Sequence, residues 1–178
     1  QYNPITLRAS GDAADINTVY ASSGFSNLGN EAVTLTDTSL AVAVLNTLNS
    51  NTTGVVNAAT VTTLTGASTA LIDAYNANTA GTISGLGNEA VTISGASSAA
   101  SDLNAIDTAT TGVVTVNSTT ITGAAADANT AYAANAAGTI AGLGNEAVTI
   151  SDTTLGASVL NTLNGYTTGV VNAGTVAT

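Results

Sequence analysis

Three glutamates stand at equivalent points of a repeated sequence and are the residues best suited to chemistry in this chain. They are Glu31, Glu89 and Glu146, each in a Gly-Asn-Glu turn, and the chain has no other glutamate. A carboxylate beside an Asn side chain and turn carbonyls offers the hard oxygen ligands that Ca²⁺ prefers, so one hypothesis is a row of calcium sites. The alternative is structural: the carboxylate accepts a backbone N–H and closes the turn, while the preceding glycine supplies a positive φ.

Two further rows recur in every repeat. Asn46, Asn104 and Asn161 each follow a leucine on a predicted helix, and we expect their amides to bond the backbone of the adjacent coil. A tyrosine recurs near the end of the alternate helices, at Tyr20, Tyr75 and Tyr132. We expect these rings to fill space over small alanines with the hydroxyl in water. The alternative is a row of rings that stack on carbohydrate.

The residues that usually carry catalysis are absent. The chain has no His, no Cys and a single Lys or Arg, which is Arg8. General bases, nucleophiles and oxyanion stabilisers are therefore scarce, and the sequence predicts a protein that is not an enzyme and holds no cofactor other than calcium. The aspartates recur in no common pair. Asp37 and Asp152 precede predicted helices and are expected to act as N-caps.

Charge excludes several classes of partner. The net charge is -10 with one cation, so binding to nucleic-acid phosphates or to anionic membrane surfaces is not expected. No apolar run reaches the roughly 18–20 residues that span a bilayer, so no membrane insertion is expected. Charged residues make up only 7% of the chain. A lysine-free surface rich in Thr and Asn favours an extracellular or cell-surface location, and low charge favours association with other copies.

Two sequence markers divide the chain into repeats. Leu-Gly-Asn-Glu-Ala-Val-Thr begins at Leu28, Leu86 and Leu143, and Thr-Thr-Gly-Val-Val begins at Thr52, Thr110 and Thr167, so both markers recur with the same offsets. Repetition at a fixed period is typical of stacked architectures. We predict a non-repetitive segment at 1–4 and a single repeat domain at 5–178, with double repeats at approximately 5–60, 61–120 and 121–178.

The pattern inside each repeat predicts an α/β solenoid. Each half-repeat of about 28 residues opens with alternating Val/Ile and Thr/Ser, which is typical of a half-buried strand. An Ala-rich helix with one apolar stripe follows, such as Ala41, Leu45 and Leu48, and then Gly and a second short strand. A unit this small cannot bury its own apolar face, so neighbours must stack. We therefore expect about six strand–helix–strand coils with short parallel strands.

The last residues, Val176 to Thr178, are expected to begin another strand, with no polar cap after it. Two explanations fit this pattern. The chain is either a fragment of a longer array, or a subunit whose open ends pair with the next subunit in a contact that does not close.

The combination of Val-Thr-Ile-Ser strands, helices ending in Leu-Asn-x-Leu/Ile and Thr-Thr-Gly-Val-Val resembles tandem repeats in very large secreted bacterial surface proteins. Those are found especially in cyanobacteria and marine bacteria, often beside calcium-binding nonapeptide repeats. The resemblance covers nearly the whole chain after Pro4 and implies an extracellular adhesive or scaffold role. The nonapeptide motif Gly-Gly-x-Gly-x-Asp is absent here, so the resemblance assigns calcium to no residue.

Three functions follow from these expectations. The first is a structural subunit of an extracellular filament or surface layer that assembles end to end with copies of itself. The second is a stalk or spacer of a large secreted adhesin, stabilised by calcium at the glutamates. The third is binding of ice or polysaccharide by a Thr-bearing strand face.

Overall fold

The described part of the chain in the computed structural model, residues 8–177, is an α/β fold whose strands pair in parallel. The predicted segment 1–4 lies outside these residues, as does Ile5, where the first half-repeat is predicted to open. The strands are β1 Arg8–Gly11, β2 Ala32–Leu35, β3 Ser39–Ala41, β4 Val56–Asn57, β5 Thr63–Gly66, β6 Ile83–Ser84, β7 Ala90–Ile93, β8 Ser97–Ala99, β9 Val114–Val116, β10 Thr120–Gly123, β11 Ile140–Ala141, β12 Ala147–Ile150 and β13 Val171–Asn172. The helices are α1 Ala13–Ala21, α2 Val42–Asn51, α3 Ser68–Ala80, α4 Ala100–Ala109, α5 Ala125–Ala137 and α6 Ala157–Tyr166.

The alternating segments after each glutamate form strands, as predicted. In β2 the side chains of Val33 and Leu35 are buried while Ala32 and Thr34 are exposed, and β7 and β12 bury the equivalent Val and Ile. Alternation follows from the two-residue period of a strand, which places successive side chains on opposite faces. The Gly-Val-Val and Gly-Thr-Ile segments also form strands, although these are only two or three residues long.

The unit contains one strand more than the sequence pattern predicts. Between β2 and α2 the chain forms β3, and between β7 and α4 it forms β8. The prediction of strand–helix–strand coils is wrong at these places, because Ser39–Ala41 and Ser97–Ala99 are too short for the alternation to be recognisable. Each stretch from one glutamate to the next therefore carries five strands and two helices: β2 to β6 in unit I, and β7 to β11 in unit II.

The helices bury a single stripe that begins one residue later than predicted. Helix α2 buries Val42, Leu45 and Leu48, and Ala41 is an extended residue that ends β3. Helix α4 buries Ala100, Leu103 and Ile106 with the same spacing. In α6 only Leu163 is buried. The stripe is narrow because each helix packs on short strands and on its neighbouring helices, and small or unbranched side chains fill that thin space.

The strands form three sheets, and the central sheet joins two units. Its order is β11-β9-β7-β5-β3, so β3 and β5 come from unit I while β7, β9 and β11 come from unit II. The first sheet has the order β1-β2-β4-β6 and the third has the order β13-β12-β10-β8. Inward side chains line up across the central sheet, with pairs running Leu40, Leu64, Val91, Val114 and Ile140, all of which are buried. Consecutive units are thus held together by backbone hydrogen bonds as well as by packing.

The steps between paired strands are unequal, unlike the regular half-repeat that the sequence predicts. Val33 pairs with Val56, and Val56 pairs with Ile83. The separation along the chain is longer for the second of these pairs than for the first. The core is one connected cluster from Ala13 to Leu163, made mostly of Ala, Val, Leu and Ile.

Candidate functional site

The two sequence markers meet in space at three equivalent clusters, which we call the Tyr–Glu–Thr clusters. Each contains the tyrosine of a long helix or its counterpart α1, the glutamate of the Gly-Asn-Glu turn and the first threonine of Thr-Thr-Gly. The members are Tyr20, Glu31 and Thr52 in the first cluster, Tyr75, Glu89 and Thr110 in the second, and Tyr132, Glu146 and Thr167 in the third. All three glutamates and all three threonines are buried.

The carboxylate of each cluster is surrounded by hydrogen-bond donors. The Tyr75 hydroxyl donates to Glu89 Oε1 at 2.7 Å. The backbone N–H groups of Gly87 and Asn88 donate to Glu89 Oε2 at 2.8 and 3.0 Å. A buried carboxylate without a cation is tolerable when several such donors replace its water. The turn forms because Gly87 adopts φ 131°, a conformation that favours glycine.

The threonine side of the cluster holds the following strand segment against the turn. Thr110 Oγ1 donates to the backbone carbonyl of Glu89 at 2.7 Å and accepts the backbone N–H of Gly112 at 3.1 Å. A Cβ on Gly112 would overlap the Glu89 carbonyl, and Gly54 and Gly169 are as tightly placed in the other clusters. The glycine of Thr-Thr-Gly is therefore required by this close backbone approach.

Burial and hydrogen bonding shift the pKa values in opposite directions. Burial alone would raise the pKa of Glu31, but N–H donors including Gly29 and the Tyr20 hydroxyl outweigh it and hold that pKa below its ordinary 4.5. Since the folded-state value is the lower one, the stability that Glu31 contributes is present above about pH 4.5 and is lost as the pH falls. Burial, opposed by the Thr167 hydroxyl and reinforced by Glu146, raises the pKa of Tyr132 to about 12. Burial is also the main cause that raises the pKa of Tyr75.

These contacts favour the turn-closing interpretation of the glutamates over calcium. A hard cation requires oxygen acceptors around it, whereas the oxygens of Glu31, Glu89 and Glu146 face N–H and O–H donors. Within residues 8–177 no group of three or more His, Cys, Asp or Glu side chains is placed to hold a metal ion. The clusters can therefore clamp three segments of backbone together, which is a structural role.

The expectation of water-exposed tyrosine hydroxyls is wrong. Tyr75 and Tyr132 are 6% and 2% exposed and direct their hydroxyls to buried carboxylates. A row of rings that stack on carbohydrate is incompatible with this burial. Tyr20 alone is half-buried, and its hydroxyl also donates to Glu31, at 2.9 Å. The charged carboxylate draws the hydroxyl inward because it is the strongest acceptor within reach.

The asparagine row bonds neighbouring helices, as predicted, at two of its three members. Asn46 Nδ2 donates to the Ala70 carbonyl in α3 at 2.9 Å, and Asn104 Nδ2 donates to the Asp127 carbonyl in α5 at 3.0 Å. Asn161 is exposed, and its side chain makes no such bond within the described residues. The row also continues into the alternate helices, where Asn17 and Asn129 donate to the Val44 and Val159 carbonyls.

The predicted N-caps act on a different helix from the one expected. Asp37 Oδ2 accepts the N–H of Ala13 at the start of α1, and Asp152 Oδ2 accepts that of Ala125 at the start of α5. Each aspartate thus caps the helix that precedes it in the chain, because parallel pairing of β1 with β2 and of β10 with β12 brings the later loop over that N-terminus. The residues at the N-cap positions of the helices make no side-chain cap of their own.

The threonines of the clusters are the functional residues that sequence reasoning missed. Thr52, Thr110 and Thr167 were recognised only as the first residues of a repeated marker, yet each bonds the carbonyl of its glutamate. The signal that could have found them is a separation of 21 residues between glutamate and threonine in all three copies. A separation that never varies, between markers in different elements, indicates a direct contact.

Threonines also line up on the outer side of the central sheet. Thr65, Thr92 and Thr115 are paired across three adjacent strands, and the row is bordered by Ala41 and Ala141. The three threonines are half-buried. A row of three is shorter than a surface that matches a repetitive ligand would need, and the ice or polysaccharide function stays a prediction.

Comparison of the chain with models of protein families, with curated proteins and with solved structures found no match. Among the described residues, no helix combines the length and apolar character needed to cross a bilayer.

Proposed function

We propose that this chain is a structural protein of the cell exterior, a subunit of a filament or surface layer in which units stack as an α/β solenoid. The observation that carries the proposal is the central sheet, which takes two strands from one unit and three from the next. An interface built this way is the same at every junction, so it can be extended by further units without a new contact.

The buried clusters and the low fraction of charged residues support a structural role. The most strongly bonded groups, the Tyr–Glu–Thr clusters, are buried and hold turns, and their carboxylates face N–H and O–H donors of the same chain. Charged residues are 7% of the sequence, which reduces the repulsion that keeps protein surfaces apart. The resemblance to repeats of large secreted bacterial surface proteins points to the same location and role.

Electron microscopy and light scattering on the purified chain test this proposal. We expect negatively stained samples to contain fibres or sheets, and the scattering mass to grow with protein concentration. A mass equal to that of one chain at every concentration would overturn the filament and surface-layer function.

The second candidate is a stalk or spacer of a larger adhesin, and the shared central sheet favours it as well. In a stalk the neighbouring units belong to the same polypeptide, so the chain alone stays monomeric. A thermal melt with calcium and with a chelator tests the calcium part of this candidate. We expect the same Tm in both, since the glutamates face hydrogen-bond donors; a higher Tm with calcium would restore the metal-site hypothesis.

A further inference from the structure

One turn of the repeat differs in its middle copy from the copies on either side. Val61 follows β4, and Val176 follows β13 at the same repeat position, whereas Ser118 has this position after β9. The backbone establishes the equivalence, because the N–H directly after each of the three residues donates to the carbonyl at one repeat position of an earlier loop. The middle copy therefore has a hydroxyl where the other two copies have an apolar side chain.

A second position changes from apolar to polar in the same copy. Leu40 in β3 and Leu155 have one repeat position, and Ser98 in β8 has it in the middle copy. Ser98 and Ser118 are both buried, and their hydroxyl oxygens are hydrogen-bonded at 2.7 Å. A buried hydroxyl without a partner is costly, so each serine makes the other tolerable. The two changes are thus linked by a direct contact.

The same turn is also one residue shorter in the middle copy. In the other two copies a threonine, Thr60 or Thr175, donates to two carbonyls of the preceding strand and loop. In the middle copy Asn117 stands alone between Val116 and Ser118, and its side chain makes no such bond within the described residues. The packing that fills this turn elsewhere is therefore absent here.

A polar cavity of about 290 Å³ lies at this turn. Asn117, Ser118, Asn145 and Glu146 are among the residues that line it. Asn117 and Asn145 are exposed and lie at its opening, whereas Ser118 and Glu146 are buried. The volume is far above the roughly 30 Å³ of a water molecule and close to the roughly 300 Å³ at which small-molecule pockets begin. The cavity can therefore hold a small organic molecule.

One oxygen of the Glu146 carboxylate has no donor. The Tyr132 hydroxyl and the Gly144 N–H both donate to Oε2, whereas donors reach both oxygens of Glu89. Within residues 8–177 nothing donates to Oε1 of Glu146, although this side chain is only 2% exposed. A buried charged oxygen is stable when a donor replaces its water. The cavity that Glu146 lines is the route by which a ligand can supply that donor.

We propose that this cavity binds a single neutral sugar unit, one hydroxyl of which donates to Oε1 of Glu146. The amides of Asn117 and Asn145 and the hydroxyl of Ser118 both donate and accept hydrogen bonds, and so do the hydroxyls of a sugar. Ca²⁺ takes about six to eight oxygen ligands. Among the described residues that line the cavity, Glu146 is the one carboxylate. The site goes beyond the filament function and does not depend on it.

Saturation-transfer NMR tests the ligand, because it observes the sugar and also works when the protein is part of a large assembly. The probes are glucose, galactose and mannose, each as the free sugar and as the terminal unit of a short oligosaccharide. We expect a signal from at least one sugar, with millimolar affinity. Signal from free sugars alone identifies a free polyol as the ligand, and signal from both forms identifies a unit of a polysaccharide.

Two results of these measurements would overturn the proposal. The first is the absence of signal from every probe. The second is a Tm that Ca²⁺ raises while no sugar gives a signal, which would exclude the ligand class.

Ser98→Leu with Ser118→Val restores the apolar pair found at Leu40 and Val61 and places methyl groups in the cavity. We expect the sugar signal to disappear and the midpoint of urea unfolding to rise, because apolar side chains replace buried hydroxyls. A damaged fold cannot produce loss of binding together with a gain in stability. A sugar signal of unchanged strength would contradict the site.

Asn145→Ala and Asn88→Ala form a matched pair that leaves the core intact. Both remove an exposed amide from a Gly-Asn-Glu turn, but only Asn145 lines the cavity. We expect Asn145→Ala to weaken the affinity for the sugar about two- to tenfold, the effect of one hydrogen bond, and Asn88→Ala to leave it unchanged. Equal affinities of the two variants would contradict the proposal. Electron microscopy of both variants should show the same fibres as the unchanged chain, so failure of the binding site and failure of the filament function give different results.

Discussion

The first and second Tyr–Glu–Thr clusters contain the same residues but differ in what covers them. Tyr75 is 6% exposed and lies inside the junction between two units, whereas Tyr20 is half-buried and lies beside a cavity of about 330 Å³. The outer neighbour of β5 is β3, but β1 has no such neighbour among the described strands. The comparison teaches that the hydrogen bond from tyrosine to glutamate is kept in both clusters, while the exclusion of a cluster from water depends on whether a neighbouring strand covers it.

Removal of the carboxylate should give the largest difference in the free energy of unfolding between the two clusters. Glu89→Ala leaves the N–H groups of Gly87 and Asn88 and the Tyr75 hydroxyl without their acceptor in a buried site. Each unsatisfied buried donor costs about 1–3 kcal/mol, so we expect a loss of about 3 kcal/mol or more in the free energy of unfolding. Glu31→Ala should cost about half as much, because water can enter the cavity and replace the acceptor.

Urea unfolding followed by circular dichroism measures both losses under the same conditions. Equal losses would show that the cavity beside Tyr20 does not admit water. Coverage by a neighbouring strand would then not be what distinguishes the two clusters.

High pH should distinguish the first cluster from the third by a smaller amount. Tyr132 is a fully covered counterpart of Tyr20, and burial raises its pKa from 10.0 to about 12. Because the folded-state value is the higher one, the stability from this group is fully present below pH 10 and is lost as the pH rises toward 12. Tyr132→Phe should therefore flatten the fall in stability over this range, at the cost of a hydrogen bond worth about 1.5–3 kcal/mol at neutral pH.

Tyr20→Phe is the matched variant for this measurement. Burial also raises the pKa of Tyr20, but its ring is half-buried, so we expect Tyr20→Phe to flatten the alkaline fall in the urea midpoint less than Tyr132→Phe does. A Tyr132→Phe protein with an unaltered alkaline slope would contradict the assignment of that slope to the buried hydroxyl.

The sequence predicted the parallel α/β class and most of the strands and helices, because those follow from local alternation and from one apolar stripe per helix. It did not predict β3 and β8, since strands as short as Ser39–Ala41 exist only by pairing with β5 and β10. It placed Asp37 and Asp152 on the wrong helix for a related reason. Capping of one helix by an aspartate from a later loop depends on which loop lies over which helix, and the local sequence carries no information on that.

The candidate site was half predicted. Glu31, Glu89 and Glu146 were recognised as turn-closing residues with calcium as the alternative, but their tyrosine and threonine partners lie 11 to 21 residues away. The tyrosine hydroxyls were expected to face solvent because a Tyr at a helix end usually keeps its hydroxyl in water. Here the low-dielectric junction and the nearby carboxylate make the inward hydrogen bond stronger than a bond to water.

The smallest effect concerns the asparagine row and extends the comparison from the clusters to the helices. Asn104→Ala removes the bond to the Asp127 carbonyl but also removes a buried Oδ1 that has no partner, so the two changes partly cancel. We expect a loss of about 0.5–1 kcal/mol from the free energy of unfolding. Asn161→Ala removes an exposed side chain and should change the stability of the single chain very little.

Urea unfolding measures both asparagine variants. Equal losses for Asn104→Ala and Asn161→Ala would contradict the assignment of the larger effect to the hydrogen bond between α4 and α5.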